Sequence, residues 1–156
     1  MRLQFFNREV FMITHFETLF RLVLASVLSG VIGFEREAHG RAAGLRTHIL
    51  VCVGSTLIML TSLYIFDIYI GRAPLDPTRI AANVVAGIGF LGAGTIIRSG
   101  SSVIGLTTAA SIWAVAGIGL AVGCGYYSGA FLTTLIILAT LLVLRKVEGV
   151  VAYKKD

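Results

Sequence analysis

The residues best equipped for chemistry are concentrated in Gly33-Phe34-Glu35-Arg36-Glu37-Ala38-His39-Gly40-Arg41-Ala42-Ala43-Gly44-Leu45-Arg46-Thr47-His48. Glu35 and Glu37 can neutralise Arg36, Arg41 or Arg46, or hold a cation. Two carboxylates make a thin cation site, since Mg²⁺ takes one or two carboxylates and keeps several waters. Histidine beside carboxylate also permits a proton-sensitive switch. The plainer alternative is a solvated basic loop. His48 opens an apolar run, where a hydrogen-bonded interfacial histidine is expected.

A second segment begins at Asp76-Pro77. Asp76 suits a helix N-cap and Pro77 a first helical position. Arg79 and Asn83 follow four residues apart, on one helical face. An amide in lipid needs a partner, so Asn83 is expected to face another helix. Gly87, Gly89, Gly92 and Gly94 come next. The run Gly87-Ile88-Gly89-Phe90-Leu91-Gly92 spells G-x-G-x-x-G. A dinucleotide site is rejected, because no strand precedes the run and no acidic residue follows about 20 positions on. Such glycines serve either close helix packing or a partly unwound helix lining a small cavity.

A third segment, Gly105-Leu106-Thr107-Thr108-Ala109-Ala110-Ser111-Ile112-Trp113-Ala114, sets Thr107 and Ser111 one turn apart. Small residues then recur as Gly117, Ala121 and Gly125, and as Gly119 and Gly123. That spacing predicts a helix surrounded by others. Trp113 lies too deep for an interfacial belt, so its indole N–H is expected to find an internal partner. No triad, zinc-protease helix or P-loop is present, so no catalytic residue, enzyme activity or cofactor is expected. Cys52 and Cys124 have no metal-ligand spacing and are expected to act as small packing residues. A metal ligand set cannot be assigned from these residues. No ionisable residue falls in the middle of the later apolar runs, which argues against a proton relay.

The elements that must position these residues follow from composition. Over 156 residues, 56% are hydrophobic and only 13% charged, about half the charged share of a soluble domain. An ordinary soluble globule, a disordered chain and a disulfide-stapled module are excluded. An all-α, polytopic transmembrane bundle remains. A crossing takes ~20 apolar residues, and charges punctuate the runs. Twenty uncharged residues separate Arg46 from Asp67, 18 separate Arg79 from Arg98, and 46 separate Arg98 from Arg145. The last run suits two helices turning at residues 123–129. The first crossing takes in Arg21, which can pair with Glu17 one turn back and snorkel. About five helices are expected, over 16–35, 47–66, 78–97, 105–122 and 127–144. Residues 1–15 read as an aromatic interfacial segment rather than a cleaved signal, 16–145 as the bundle, and 146–156 as a short basic tail.

Lys and Arg fix the expected orientation. Eight of them (Arg36, Arg41, Arg46, Arg98, Arg145, Lys146, Lys154, Lys155) fall on one side and four (Arg2, Arg8, Arg72, Arg79) on the other. The richer side is expected to be cytoplasmic, with the N-terminus outside, the C-terminus inside and the +5 chain held against anionic lipid. Nucleic-acid binding has no support. The candidate residues are expected to form a shared polar cluster at the inner mouth of the bundle and its glycine-lined interior, but Asp76 and Arg79 fall on the side opposite Glu35, so not all of them can join it.

Taken together, Gly33-Phe34-Glu35-Arg36-Glu37, Gly44-Leu45-Arg46-Thr47-His48, Asp76-Pro77 with Arg79-Ile80-Ala81-Ala82, Gly87 through Gly94, and Gly105-Leu106-Thr107-Thr108-Ala109-Ala110 with Trp113 resemble the bacterial MgtC/SapB family. The resemblance covers roughly residues 18–145. It implies a multi-pass inner-membrane protein with a role in virulence and growth at low magnesium. It further implies restraint of F-type ATP synthase by membrane contact, and self-association into a homo-oligomer. The chain departs from the pattern in ending at Asp156 without the soluble C-terminal domain of many members. It also has Asn83 where many show Gln, and Ile104 where many show Arg. Two functions are carried forward. One is a non-enzymatic membrane regulator; the other is a small oligomeric ion or solute transporter or channel, with Asn83, Thr107 and Ser111 along its path.

Overall fold

A computed structural model describes residues 13–72 and 74–153, with side chains through residue 147. Five helices run in chain order: α1 His15–Ala38, α2 Leu45–Tyr69, α3 Thr78–Ala93, α4 Leu106–Gly123 and α5 Tyr127–Tyr153. A short antiparallel hairpin, β1 Ile97–Ser99 and β2 Ser102–Ile104, joins α3 to α4. Residues 1–12, most of the expected interfacial segment, lie outside the described part, as do 154–156 at the end of the expected tail.

Local chemistry sets the boundaries. Thr14 accepts the Glu17 N–H at 3.1 Å, the first half of a capping box. Gly40 and Gly125 end turns with φ of +64° and +86°, a region open to glycine at no steric cost. The helices otherwise fall close to the charge-free runs. The exceptions are α5, expected to end at residue 144 and continuing to Tyr153 through much of the expected tail, and α3, expected to reach residue 97 and ending at Ala93. There the Thr95 hydroxyl turns back onto the Gly92 carbonyl at 2.8 Å. The β-branched Ile96, Ile97, Val103 and Ile104 then favour extended chain. Their strands are joined through Gly100 at φ +60°.

α1 and α2 form an antiparallel pair in close contact at Gly33, where a Cβ would stand 2.8 Å from the Leu45 Cα. α4 runs parallel to α2 and touches every other helix, as its small-residue spacing predicted. Of its two small-residue registers, Gly119 and Gly123 are the packed one. A Cβ on Gly123 would lie 2.6 Å from the Met59 Cβ and 2.9 Å from the Thr56 carbonyl oxygen. Thr56 bridges the same crossing, its single hydroxyl proton shared between the carbonyls of Cys52 and Gly119, both at 2.9 Å. α3 is peripheral, with Ile88 and Gly92 as its buried residues.

The bundle is apolar outside and partly polar inside. Phe16, Val23, Val27, Phe131 and Ile136 are exposed, whereas Ser29, His48, Ser55, Thr56, Ser62 and Ser111 are buried. α1, α2, α4 and α5 are long and apolar enough to cross a membrane, and α3 is a shorter apolar helix.

Candidate functional site

The last turn of α1 delivers Glu35 and Arg36 to one end of the bundle, where they are only 7% and 5% exposed. Arg36 Nη1 lies 3.8 Å from Glu35 Oε2, and Nη2 donates to the Thr108 hydroxyl of α4 at 3.4 Å. The other carboxylate oxygen, Oε1, faces His39 Nδ1 at 3.0 Å and Arg145 Nη1 of α5 at 3.7 Å. His39 Nδ1 also lies 2.7 Å from the Glu35 carbonyl oxygen. One anion therefore faces two guanidiniums and an imidazole. Glu35 Oε2, Arg36 Nε and Arg145 Nη1 are buried without a hydrogen-bond partner among the described residues. Burying charge is costly unless every lone pair and proton is engaged, so this cluster is held by its packing more than by its own bonding.

His48 sits beneath it, in the first turn of α2, completely buried and hydrogen-bonded as expected. Its Nδ1 lies 2.9 Å from the Gly44 carbonyl oxygen, and a carbonyl can only accept, so this nitrogen donates. Nε2 lies 3.0 Å from the Ser111 hydroxyl, which is itself 2.9 Å from the Thr108 carbonyl oxygen. Ser111 has a single proton for these two acceptors when His48 is neutral. The polar group thus joins α1, α2, α4 and α5 through Glu35, Arg36, His48, Thr108, Ser111 and Arg145.

The loop between α1 and α2 uses its other charges differently. Glu37 accepts the Leu45 N–H at 2.8 Å, capping α2, and packs against Gly44. It does not join Glu35 in a cation site. Among the described residues no group of three or more His, Cys, Asp or Glu is placed to hold a metal ion. Arg41, Arg46 and Thr47 are exposed at the rim of the same end.

The helix-three residues stand elsewhere. Asp76 Oδ1 accepts the Thr78 N–H at 2.8 Å and the Thr78 hydroxyl at 2.6 Å. It performs the expected capping, and these bonds hold its carboxyl below its ordinary pKa. Ser62 of α2 fastens the start of α3 through the Pro77 carbonyl, at 2.5 Å. With Arg79, these residues occupy the end opposite Glu35, as the topology required. Asn83 is exposed and lines a groove of about 490 Å³ between α2 and α3, together with Gly54 and Gly87. α3 is continuous through its glycines, so the partly unwound helix is not observed. A Cβ on Gly87 or Gly89 would meet nothing within 4 Å, whereas one on Gly92 would touch Ala109 at 3.7 Å. Of this glycine run, Gly92 serves packing within the chain; Gly94 caps the helix end.

On α4, Thr107 and Ser111 line a smaller groove of about 180 Å³ against α5. Trp113 corrects the expectation of an internal partner, being 56% exposed. It lies on the exposed strip Leu106, Trp113, Gly117. Burial was inferred from depth along the helix, and depth does not determine which face a residue occupies.

Arg145 and His39 were not among the sequence candidates. Arg145 was assigned to topology alone, yet its place at the end of the last apolar run puts it at the level of Glu35. At the far end, the buried Arg21 pairs with Glu17 as expected, and it also donates to the Gly123 carbonyl at 2.6 Å.

The chain matches the MgtC family over residues 22–150. It is 46% identical over 127 residues to an Escherichia coli protein named "Putative magnesium transporter YhiD", covering 78% of this chain and 59% of that one. It is 44% identical over 131 residues to protein MgtC of Salmonella typhimurium, covering 84% and 54%. To protein SapB of Bacillus subtilis it is 43% identical over 126 residues, covering 78% and 54%. The chain thus spans little more than half the length of these relatives. No solved structure matches it. Its apolar helices, its inverted polarity and its relatives make it a multi-pass protein of the bacterial inner membrane, and it belongs to the MgtC family.

Proposed function

We propose that this chain is a non-enzymatic regulator that acts by contact between its own helices and those of a membrane complex such as F-type ATP synthase, in adaptation to low magnesium. The observation that carries this reading is the contrast between α4 and α3. The interior is closed at the α2–α4 crossing, where Gly119 and Gly123 bring backbone against backbone. On α3, a Cβ at Gly87 or Gly89 would meet nothing within 4 Å, Gly87 lying along the groove against α2. Small residues in a membrane helix let another helix approach closely, and Gly87 and Gly89, on different faces of α3, each leave room for one. The positive-inside rule supports a cytoplasmic position for the basic end bearing Glu35.

The test is capture from native membranes. Tagged wild-type chain is expected to retain the complex and lower cellular ATP on overexpression, and Gly87→Leu with Gly89→Leu to lose both effects while remaining folded. Capture without a partner and an unchanged ATP level would defeat the proposal.

The groove of about 490 Å³ holding Asn83 favours a second reading, an ion or solute transporter working as an oligomer. That reading requires flux in proteoliposomes, reduced by Asn83→Leu; an ion-tight vesicle at high protein density speaks against it.

A further inference from the structure

The hairpin between α3 and α4 has no covered face. All six of its strand residues are exposed, and two strands of three residues cannot hold together alone in water. It is nonetheless tightly fixed at its neck. Gly105 has φ +92°, and a Cβ there would crowd Thr95 and stand 3.3 Å from the Ile96 Cα. The register pairs Ile97 with Ile104 and Arg98 with Val103. Alternation puts the isoleucine pair on one face and Arg98 on the other.

The length of α3 supplies the setting. Its 16 residues extend about 24 Å at ~1.5 Å per residue, less than the ~30 Å hydrocarbon core. The hairpin therefore begins where the hydrocarbon has not fully given way to water. Its neighbours in the chain are lipid-facing: Phe90 is 83% exposed, and Ile96 and Leu106 are exposed on either side. The same end carries exposed Arg41, Arg46 and Lys146, while its carboxylates are engaged, Glu35 with arginine and histidine and Glu37 with Leu45.

We infer that the hairpin is an interfacial anchor seated in the anionic lipid of this leaflet, with Ile97 and Ile104 against acyl chains and Arg98 held by lipid phosphate. The apolar pair covers the hairpin face that water cannot stabilise. Arg98, whose Nε is only 3.4 Å from the Gly100 carbonyl oxygen, keeps the rest of its guanidinium free for a phosphate, which it matches in shape and charge. The arrangement makes up the length that α3 lacks.

Full-length chain lacking its single native tryptophan through Trp113→Phe, and carrying Ile104→Trp or Val103→Trp, is reconstituted in phosphatidylethanolamine–phosphatidylglycerol vesicles. Ile104→Trp is expected to be quenched by brominated acyl chains and shielded from aqueous acrylamide; Val103→Trp, on the Arg98 face, is expected to be more open to acrylamide. Arg98→Gln is expected to lower the phosphatidylglycerol retained through purification about fivefold, with helical content unchanged; equal retention would overturn the phosphate contact. Emission from Ile104→Trp open to acrylamide and untouched by bromolipid would place the hairpin in water and overturn the anchor. Shielding from both quenchers would place it against protein, such as a second copy, and overturn it equally.

Discussion

Arg21, near the start of α1, donates a hydrogen bond to the Gly123 carbonyl at the end of α4, 2.6 Å away and 102 positions along the chain. The last carbonyls of a helix have no partner in their own helix and carry its negative end. Arg21 supplies both a donor and a positive charge there, with Glu17 beside it and the Tyr127 ring 5.8 Å from its guanidinium carbon.

Replacing Arg21 with methionine keeps the stem and removes the cap. Because hydrogen bonds to charged groups contribute about 1.5–3 kcal/mol, thermal unfolding in detergent is expected to show a loss of about 2 kcal/mol. Unchanged unfolding would mean that Gly123 finds another donor.

Glu35→Gln removes the single anion that faces Arg36, Arg145 and His39. Breaking a buried pair costs about 3–5 kcal/mol, and the exposure of Arg145 moderates this toward the lower figure. Adding Arg145→Gln is expected to return part of the loss. A double-mutant cycle on thermal unfolding measures the coupling, and strict additivity of the two changes would contradict it.

Gly117 and Gly119 lie two residues apart on α4 and are expected to respond in opposite ways to alanine. A Cβ on Gly117 meets nothing within 4 Å, whereas one on Gly119 would be 2.8 Å from the Ser55 Cβ and would press on the Cys52 carbonyl. Gly117→Ala is expected to be neutral or to stabilise by up to about 1 kcal/mol. Gly119→Ala is expected to destabilise by about 1–3 kcal/mol. Unfolding midpoints compared in one detergent decide it.

The Asp76 cap predicts a pH dependence of definite sign. Its folded pKa is depressed by the bonds from the Thr78 hydroxyl and N–H. Its contribution is complete above the ordinary value of 3.8 and is lost as pH falls through the lower folded value. The gap in unfolding temperature between wild type and Asp76→Ala is therefore expected near neutrality and should close in strong acid. A gap that persists there would assign the effect to something other than the ionised carboxylate.

The helices were legible because charge is expensive in lipid, so Arg46, Asp67, Arg79, Arg98 and Arg145 mark their limits. Charge-free length does not distinguish helix from hairpin, however, and the run up to Arg98 concealed the turn that Thr95 makes on Gly92. The Glu35–His48 segment was legible as a polar site, and Glu35, Arg36 and His48 do meet. On α4, Thr108 and Ser111 were legible as candidates but not their pairing with Arg36 and His48, and Arg145 was missed, because these residues come from distant parts of the chain. Trp113 failed for a related reason. Helical periodicity groups residues by face without saying which face a neighbour covers.

The parallel crossing of α2 and α4 also constrains how the protein is made. As the chain leaves the ribosome, α2 can pair at once with α1, but its tightest remaining contact belongs to a helix synthesised two segments later. During that interval the α4-facing side of Cys52, Ser55 and Thr56 lacks the Gly119 contact, and α3 has already been made. The small flank of α3 lets it stand aside until α4 arrives, so assembly includes the insertion of a later helix between two earlier ones before α5 packs on.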